Sequence, residues 1–426
     1  MKKTKVLVLG AGFAGIEFCK RIDGRKFDVT LVDRQNHHLF QPLLYQVASS
    51  GLAVPEIAQP IRGILSGVKG LRILMDEVTA IDLKRRTVTC AKRNLDYDYL
   101  VIAVGAVTSY FGNDHWEAHA PGLKTVKDAT RIRQSVLYAY EKAEATEDLA
   151  ERQKLLTTVV VGAGPTGVEL AGSFSELARH CLAKDFHEIE AKNSRVVLVE
   201  AADRVLAHMD PDLSQAALHQ LEQLGVEVRL KTRVLDIRRN EIELEGETLQ
   251  AGNIVWAAGV QAHPLTSTLG VELDRGGRIP TLPDLSLEGH PEVFALGDIV
   301  SLVDTNGVRV PGVSPAAIQM AQHLAKLLNR DKGKQDANRR DPFMYWDKGT
   351  MATVGRSRAV AQVARLKLKG FPAWLAWLFV HLVFLVGFRN KTTVLFHWVY
   401  SYLTYKKGAR IIHAREDIAP ELEKSD

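Results

Sequence analysis

With 426 residues, 46% of them hydrophobic and 25% charged, the chain is excluded from the disordered, collagenous and coiled-coil classes. It is long enough for two or three domains with cores of their own. The formal charge is only +5, yet Lys348 to Arg415 hold twelve Lys/Arg and no Asp or Glu, leaving 43 basic against 50 acidic residues elsewhere. Such a basic end on a mildly acidic body is expected to meet an anionic surface, a membrane or a nucleic acid. Cys19, Cys90 and Cys181 lie far apart with no CxxC pair, which argues against a disulfide framework or cysteine zinc site and for a reducing compartment. No metal site is expected.

Met1 to Lys5 lead directly into Val6–Leu9, without the apolar stretch of a cleavable leader, so export by an N-terminal signal is not expected. Val6–Leu9 reads as a buried parallel strand, followed at once by Gly10-Ala11-Gly12-Phe13-Ala14-Gly15. Ile16–Ile22 has helical spacing, and Phe27–Val32 is a second strand ending at Asp33, eighteen residues past Gly15. Strand, glycine turn, helix, strand and acid form a dinucleotide fingerprint. Its first glycine makes the turn, its second lets a pyrophosphate approach the helix N-terminus, and its third lets helix pack on strand. Asp33 is placed to accept ribose hydroxyls. His37 and His38 follow at a strand end, where neighbours point to opposite faces, so they read as packed or solvated histidines.

The pattern returns at Thr158–Val161, Gly162-Ala163-Gly164-Pro165-Thr166-Gly167, a helix over Val168–Cys181, and the strand Arg195–Val199 ending at Glu200. Here the acid lies 33 residues past the last glycine, which predicts a looped-out helical extension over Leu182–Lys192. Leu100–Gly105 and Ile254–Gly259 are apolar strands ending in glycine, and Val293–Asp298 is a strand delivering a carboxylate to a loop. Two dinucleotide sites in one chain suit a flavin dinucleotide beside a nicotinamide dinucleotide. The acid at Glu200 favours NADH over NADPH, although Arg204 stands near enough to tolerate a 2′-phosphate.

With these fingerprints, the Gly297-Asp298 segment and the stretch Phe40-Gln41-Pro42-Leu43-Leu44-Tyr45-Gln46-Val47-Ala48, the chain resembles the type II NADH:quinone oxidoreductases over residues 6 to about 410. The resemblance implies an α/β fold of two Rossmann-like dinucleotide-binding domains plus a C-terminal membrane-associating helical segment. Implied boundaries are 1–125 and 263–335 for the two parts of the FAD-binding domain, 126–262 for the NADH-binding domain and 336–426 for a membrane-anchoring or dimerisation region. Gly10, Gly12, Gly15, Asp33 and Asp298 are then expected to hold FAD, and Gly162, Gly164, Gly167 and Glu200 to hold NADH. Gln41, Gly105, Ala317 and Gly259 complete the expected cofactor contacts. Glu169, Gln319 and Lys391 are the expected catalytic set at the quinone, with Gln322 an alternative to Gln319. Glu169 also admits a plainer role, complementing the dipole of its helix.

Phe371–Phe388 is an eighteen-residue run without formal charge, bracketed by Lys367, Lys369, Arg389 and Lys391. Val394–Tyr405 adds Trp398, Tyr400, Tyr402 and Tyr405 before Lys406-Lys407. Aromatics and basic residues bordering apolar runs suit the lipid headgroup region. A helix pair lying in the membrane interface is the preferred reading, against a transmembrane span or burial on the body or a second subunit. Nucleic acid is not expected, because phosphate binders need exposed basic stripes.

The expected function is hydride transfer from NADH to FAD and two-electron reduction of a membrane quinone, without proton pumping. A homodimer is implied by the same resemblance, and the lack of a targeting segment fits a peripheral place on the cytoplasmic face of the cell membrane. Disulfide or sulfide chemistry would need a placed cysteine pair. A sulfide:quinone oxidoreductase and a non-catalytic nucleotide-sensing protein docked on membranes stay open as alternatives.

Overall fold

A computed structural model describes residues 3–331, 340–385, 388–404 and 409–412. The chain groups into two compact units: residues 1–39, 58–107 and 260–348 form one, and residues 40–57, 108–259 and 349–426 the other. These divisions differ from those read in the sequence. The 125/126 and 262/263 boundaries move to 107/108 and 259/260, and the Phe40–Ile57 stretch joins the unit of the second fingerprint. The expected 335/336 boundary lies outside the described residues. The C-terminal region does not group separately, because its strand Thr350–Gly355 packs on the helix Pro165–Glu176.

The first unit is built on a six-stranded sheet, in spatial order Ser286–Leu287, His290–Ala295, Tyr99–Ile102, Thr4–Leu9, Phe27–Asp33 and Leu71–Met75. Its central pairs are parallel, with Val6 opposite both Val29 and Tyr99. The central strands read as near-continuous Val/Leu/Ile runs because both faces are covered. One cover is the helix Phe13–Arg21, laid against the helix Ser314–Asp331. Gln322 Nε2 donates to Glu17 Oε1 at 2.8 Å and Asn329 Nδ2 to the Arg21 carbonyl at 2.9 Å, stitching the two helices together.

The second unit has a four-stranded parallel sheet in the order Val226–Arg229, Arg195–Val199, Thr157–Val161, Asn253–Trp256. The expected helical extension over Leu182–Lys192 does not form. Instead a π-type turn Leu177–Cys181 and short 3-10 turns Leu182–Lys184 and Ala191–Asn193 span the insertion. The cause is Glu144, whose carboxylate collects the backbone N–H groups of His187, Glu188 and Ile189 at 3.0, 3.0 and 3.1 Å. Three successive donors turned toward one carboxylate cannot also close i to i−4 helical bonds.

Past Gly349 come the antiparallel strands Thr350–Gly355, Arg358–Val363 and Leu366–Lys369, then the helices Phe371–Phe384 and Phe388–Thr404. Ala373, Trp374 and Trp377 bury one side of the first helix, while Phe371, Leu375, Phe379, Val383 and Phe384 stay exposed. Its 14 residues span about 21 Å, short of the ~30 Å hydrocarbon core, so the transmembrane reading is overturned for this helix. Among the described residues no helix is long and apolar enough to cross a membrane. Tyr405 and Lys406-Lys407 lie outside the described residues.

Candidate dinucleotide cradles and a buried carboxylate

The two fingerprints adopt the same geometry, each within its own unit. In the first, Gly10 has φ +96°, and a Cβ there would stand 2.4 Å from the Ala103 carbonyl oxygen. A Cβ on Gly15 would meet the Gly10 carbonyl oxygen at 1.9 Å. Gly12 is different: a Cβ would meet nothing within 4 Å. That open space lies at the N-terminus of the helix Phe13–Arg21, which has no side-chain cap and no acidic residue in its first turn. Unspent N–H groups facing open space fit a pyrophosphate.

Asp33 Oδ2 accepts the Ala11 N–H at 2.6 Å and Oδ1 the Gln35 N–H at 2.7 Å, so the carboxylate is locked while lone pairs remain for ribose hydroxyls. Burial raises its pKa, opposed by those two N–H groups. His38, expected as a packed or solvated histidine, braces the same turn: Nδ1–H donates to the Ala11 carbonyl at 3.0 Å, and burial lowers its pKa. Gly105, at φ +72°, accepts the His263 N–H at 3.1 Å through its carbonyl. Asp298 and Ala317 converge on Gly297, whose added Cβ would lie 3.3 Å from the Ala317 methyl.

In the second fingerprint, a Cβ on Gly162 would reach Ala258 at 2.7 Å and one on Gly167 would reach the Gly162 carbonyl oxygen at 1.7 Å, whereas Gly164 is open. Gly164 precedes an uncapped helix, Pro165–Glu176, again with no acid in the first turn. Glu200 Oε2 accepts the Ala163 N–H at 2.6 Å and Oε1 the Ala202 N–H at 2.8 Å, repeating the Asp33 arrangement across the longer spacing. Arg204 is turned to the Ala207 carbonyl, to which it donates at 3.0 Å. Gly259, at φ +79°, closes the strand Asn253–Trp256 and lies under the Phe111 ring. Both cradles fit a dinucleotide. Among the described residues, no group of three or more His, Cys, Asp or Glu side chains is placed to hold a metal.

Glu169 lies beyond the first turn of the helix Pro165–Glu176 and is 9% exposed, so the helix-dipole role does not apply. Burial pushes its pKa up to about 8, partly offset by the Thr353 N–H and by the Trp377 indole. The Thr353 N–H donates to Oε1 at 3.4 Å; the Trp377 Nε1–H faces the carboxyl without a well-formed hydrogen bond. Thr353 and Trp377, the two neighbours of the Glu169 carboxyl, also line an open cavity together with Tyr45, Gln46, Glu176, His180 and Trp398. Trp398 Nε1 donates to Gln46 Oε1 at 2.9 Å, and His381 stacks on Trp377 at 4.1 Å between ring centroids. In the sequence, Thr353, Gln46 and His381 carry no expected role here; the Phe40–Ala48 stretch, which holds Gln46, and the aromatic run around Trp377, which holds His381, are the signals that point to them.

The remaining expected residues each have another partner. Gln319 donates through Nε2 to the Trp346 carbonyl and accepts the Trp346 N–H, both at 3.0 Å. Gln322 is bound to Glu17. Lys391 Nζ donates to the Val383 carbonyl at 2.7 Å. Gln41 falls in the unit of the second fingerprint and donates to the Lys124 carbonyl at 3.2 Å.

Residues 4–323 match the family model described as pyridine nucleotide-disulphide oxidoreductase, and residues 347–406 match that of the NDH2 C-terminal domain. The chain is 41% identical to the type II NADH:quinone oxidoreductase Ndh of Mycobacterium tuberculosis, over 98% of this chain and 92% of that protein. It is 43% identical to NdhA of the same organism, over 97% and 91%. The solved structure of NDH2 from Plasmodium falciparum in complex with NADH shares the fold at a TM-score of 0.89 and 21% identity, covering 97% of this chain and all of that one. The chain belongs to the pyridine nucleotide-disulphide oxidoreductase family and, within it, to the type II NADH:quinone oxidoreductases.

Proposed function

We propose that this chain is an NADH:quinone oxidoreductase that carries FAD in the first cradle and takes NADH in the second. The observation that carries this reading is the pair of intact, equally built dinucleotide cradles in one chain, within a family of that activity. FAD, when bound, supplies hydride acceptance from NADH and two-electron delivery to quinone. Asp33 and Asp298 orient the flavin nucleotide, and Glu200 selects a free ribose hydroxyl on the donor. Thiol chemistry has no support: all three cysteines are buried and separate, and burial pushes the Cys19 thiol up to about 12.

Quinone reduction takes up two protons, and Glu169 is a carboxyl that keeps its proton at neutral pH. We place it as the proton-holding residue of the quinone end, with Lys391 and Gln319 as further candidates there. Apolar side chains exposed along the two C-terminal helices, with the basic residues around them, support docking on a membrane surface without spanning it. A homodimer, peripheral on the cytoplasmic face and not pumping protons, completes the proposal.

The test is spectral. The purified protein should show flavin absorbance that NADH bleaches anaerobically, that sulfide leaves unchanged, and that a short-chain quinone restores. A colourless protein, or a flavin indifferent to NADH, overturns the reading. Bleaching by sulfide instead would move it to the alternative reading, a sulfide:quinone oxidoreductase.

A further inference from the structure

Phe111 holds a left-handed backbone conformation, φ +53°, immediately before Gly112 at φ +91°. A side chain in that region is strained, and the ring it holds is 69% exposed. The ring meets the buried Trp256 edge-on, at 6.3 Å between centroids, and leaves most of its surface outside the core. The turn is nevertheless locked. The buried Trp256 indole N–H donates to the Ser109 carbonyl at 2.9 Å, the Phe111 N–H to Ser109 Oγ at 3.3 Å, and the Ser109 N–H to the Gly259 carbonyl at 3.4 Å. These bonds press the ring on Gly259, where a Cβ would stand 2.5 Å from Phe111 Cζ.

The sheet order says what this ring faces. Thr157–Val161 lies between Arg195–Val199 and Asn253–Trp256, all parallel. Glu200 ends the strand on one side, Gly164 follows the central strand, and Gly259 follows the strand on the other side. A dinucleotide with its adenosine ribose at Glu200 and its pyrophosphate over Gly164 therefore runs its second half toward Gly259. We propose that Phe111 is a stacking wall for the nicotinamide-riboside half of NADH, a binding residue for the donor. An exposed aromatic face, fixed before the ligand arrives, takes a flat ring without an ordering cost. The inference rests on NADH being the donor at this cradle.

Holoenzyme with its flavin is compared as wild type, Phe111→Leu, Phe111→Trp and Phe111→Gly. Phe111→Leu is expected to raise KM for NADH about three- to tenfold, the size of a lost aromatic contact, with the change falling on KM rather than kcat. The inhibition constant of NAD+ weakens in step, while that of ADP-ribose, which lacks the nicotinamide ring, stays at the wild-type value. Phe111→Trp restores KM. Phe111→Gly suits the backbone angle, so it shows the raised KM with no loss of Tm or flavin content. An unchanged KM in Phe111→Leu overturns the proposal, as does equal weakening of ADP-ribose. Loss of Tm or flavin in parallel with KM across all variants overturns it in favour of a purely structural turn. A wild-type enzyme inert to NADH instead overturns the functional reading, before any variant is made.

Discussion

Within each fingerprint the three glycines do different work, and single substitutions separate the roles. Gly164 faces open space and Gly167 abuts the Gly162 carbonyl. Gly164→Ala should therefore fold and retain flavin while raising KM for NADH about tenfold or more, because its methyl occupies the pyrophosphate position. Gly167→Ala should lower Tm and yield, since backbone must move to admit the methyl. Equal behaviour of the two variants in thermal melts and NADH kinetics would contradict the division. Glu169 offers a test with a sign. Its pKa is raised to about 8 in the folded protein, above the ordinary carboxyl value, so from about pH 4.5 to 8 the folded state holds a proton that the unfolded state lacks. Stability contributed by that proton is full below the unfolded pKa and is lost as pH rises through the folded one. Wild type should thus lose on the order of a few kcal/mol between pH 5 and 9 relative to Glu169→Gln, read by denaturant unfolding at several pH values. If the same proton serves quinone reduction, the wild-type rate falls as pH rises through about 8. Glu169→Gln is then slower by on the order of a hundredfold and flat across that range.

The C-terminal strand Thr350–Gly355 and the helix Pro165–Glu176 meet at Gly172, where a Cβ would lie 1.6 Å from the Val354 carbonyl oxygen. Gly172→Ala must push the strand away from the helix, and with it the Thr353 N–H that bonds Glu169. It should destabilise by roughly 2 kcal/mol or more and shift the pH inflection of quinone reduction upward, since the carboxylate loses a stabilising donor. A wild-type pH profile in a folded Gly172→Ala protein would break this link between packing and proton affinity. Elements like this mark the limit of what the sequence shows. Strands and fingerprint helices were legible because their signals are local: an apolar run, a glycine spacing, an acid at a strand end. The Leu182–Lys192 insertion was misread because Glu144, some forty residues upstream in sequence, captures its N–H groups. The contact of Thr353 with Glu169 spans 184 residues and that of Trp398 with Gln46 spans 352, so neither leaves a periodic trace. Glu169 itself was legible only through family resemblance, and its raised pKa not at all, because burial is a property of the packed element.

At the scale of the molecule, the basic C-terminal region carries two helices that keep apolar side chains in water, including Phe379 at 69% and Phe396 at 72% exposure. Large exposed apolar groups on neighbouring helices call for a partner surface, and a quinone's lipid solubility makes the bilayer the economical one. Charge and apolar burial contribute separately, so they can be separated. Attraction of Lys and Arg to anionic headgroups is screened by salt, whereas burial of phenyl rings is not. Wild-type protein should sediment with liposomes of mixed neutral and anionic lipid, weaken about tenfold in 0.5 M salt, and retain a salt-resistant component. Phe379→Ser combined with Phe396→Ser should remove that component. Each buried phenyl contributes about 2 kcal/mol, and the pair roughly a hundredfold or more in partition. The double variant should still oxidise NADH with a short-chain quinone dissolved in water, and fail with a long-chain quinone embedded in the liposomes. That split places the two rings at the lipid surface rather than in the chemistry. Full binding by the double variant would assign the exposed helices to a second copy of the chain, and its sedimentation mass in detergent would then be half that of wild type.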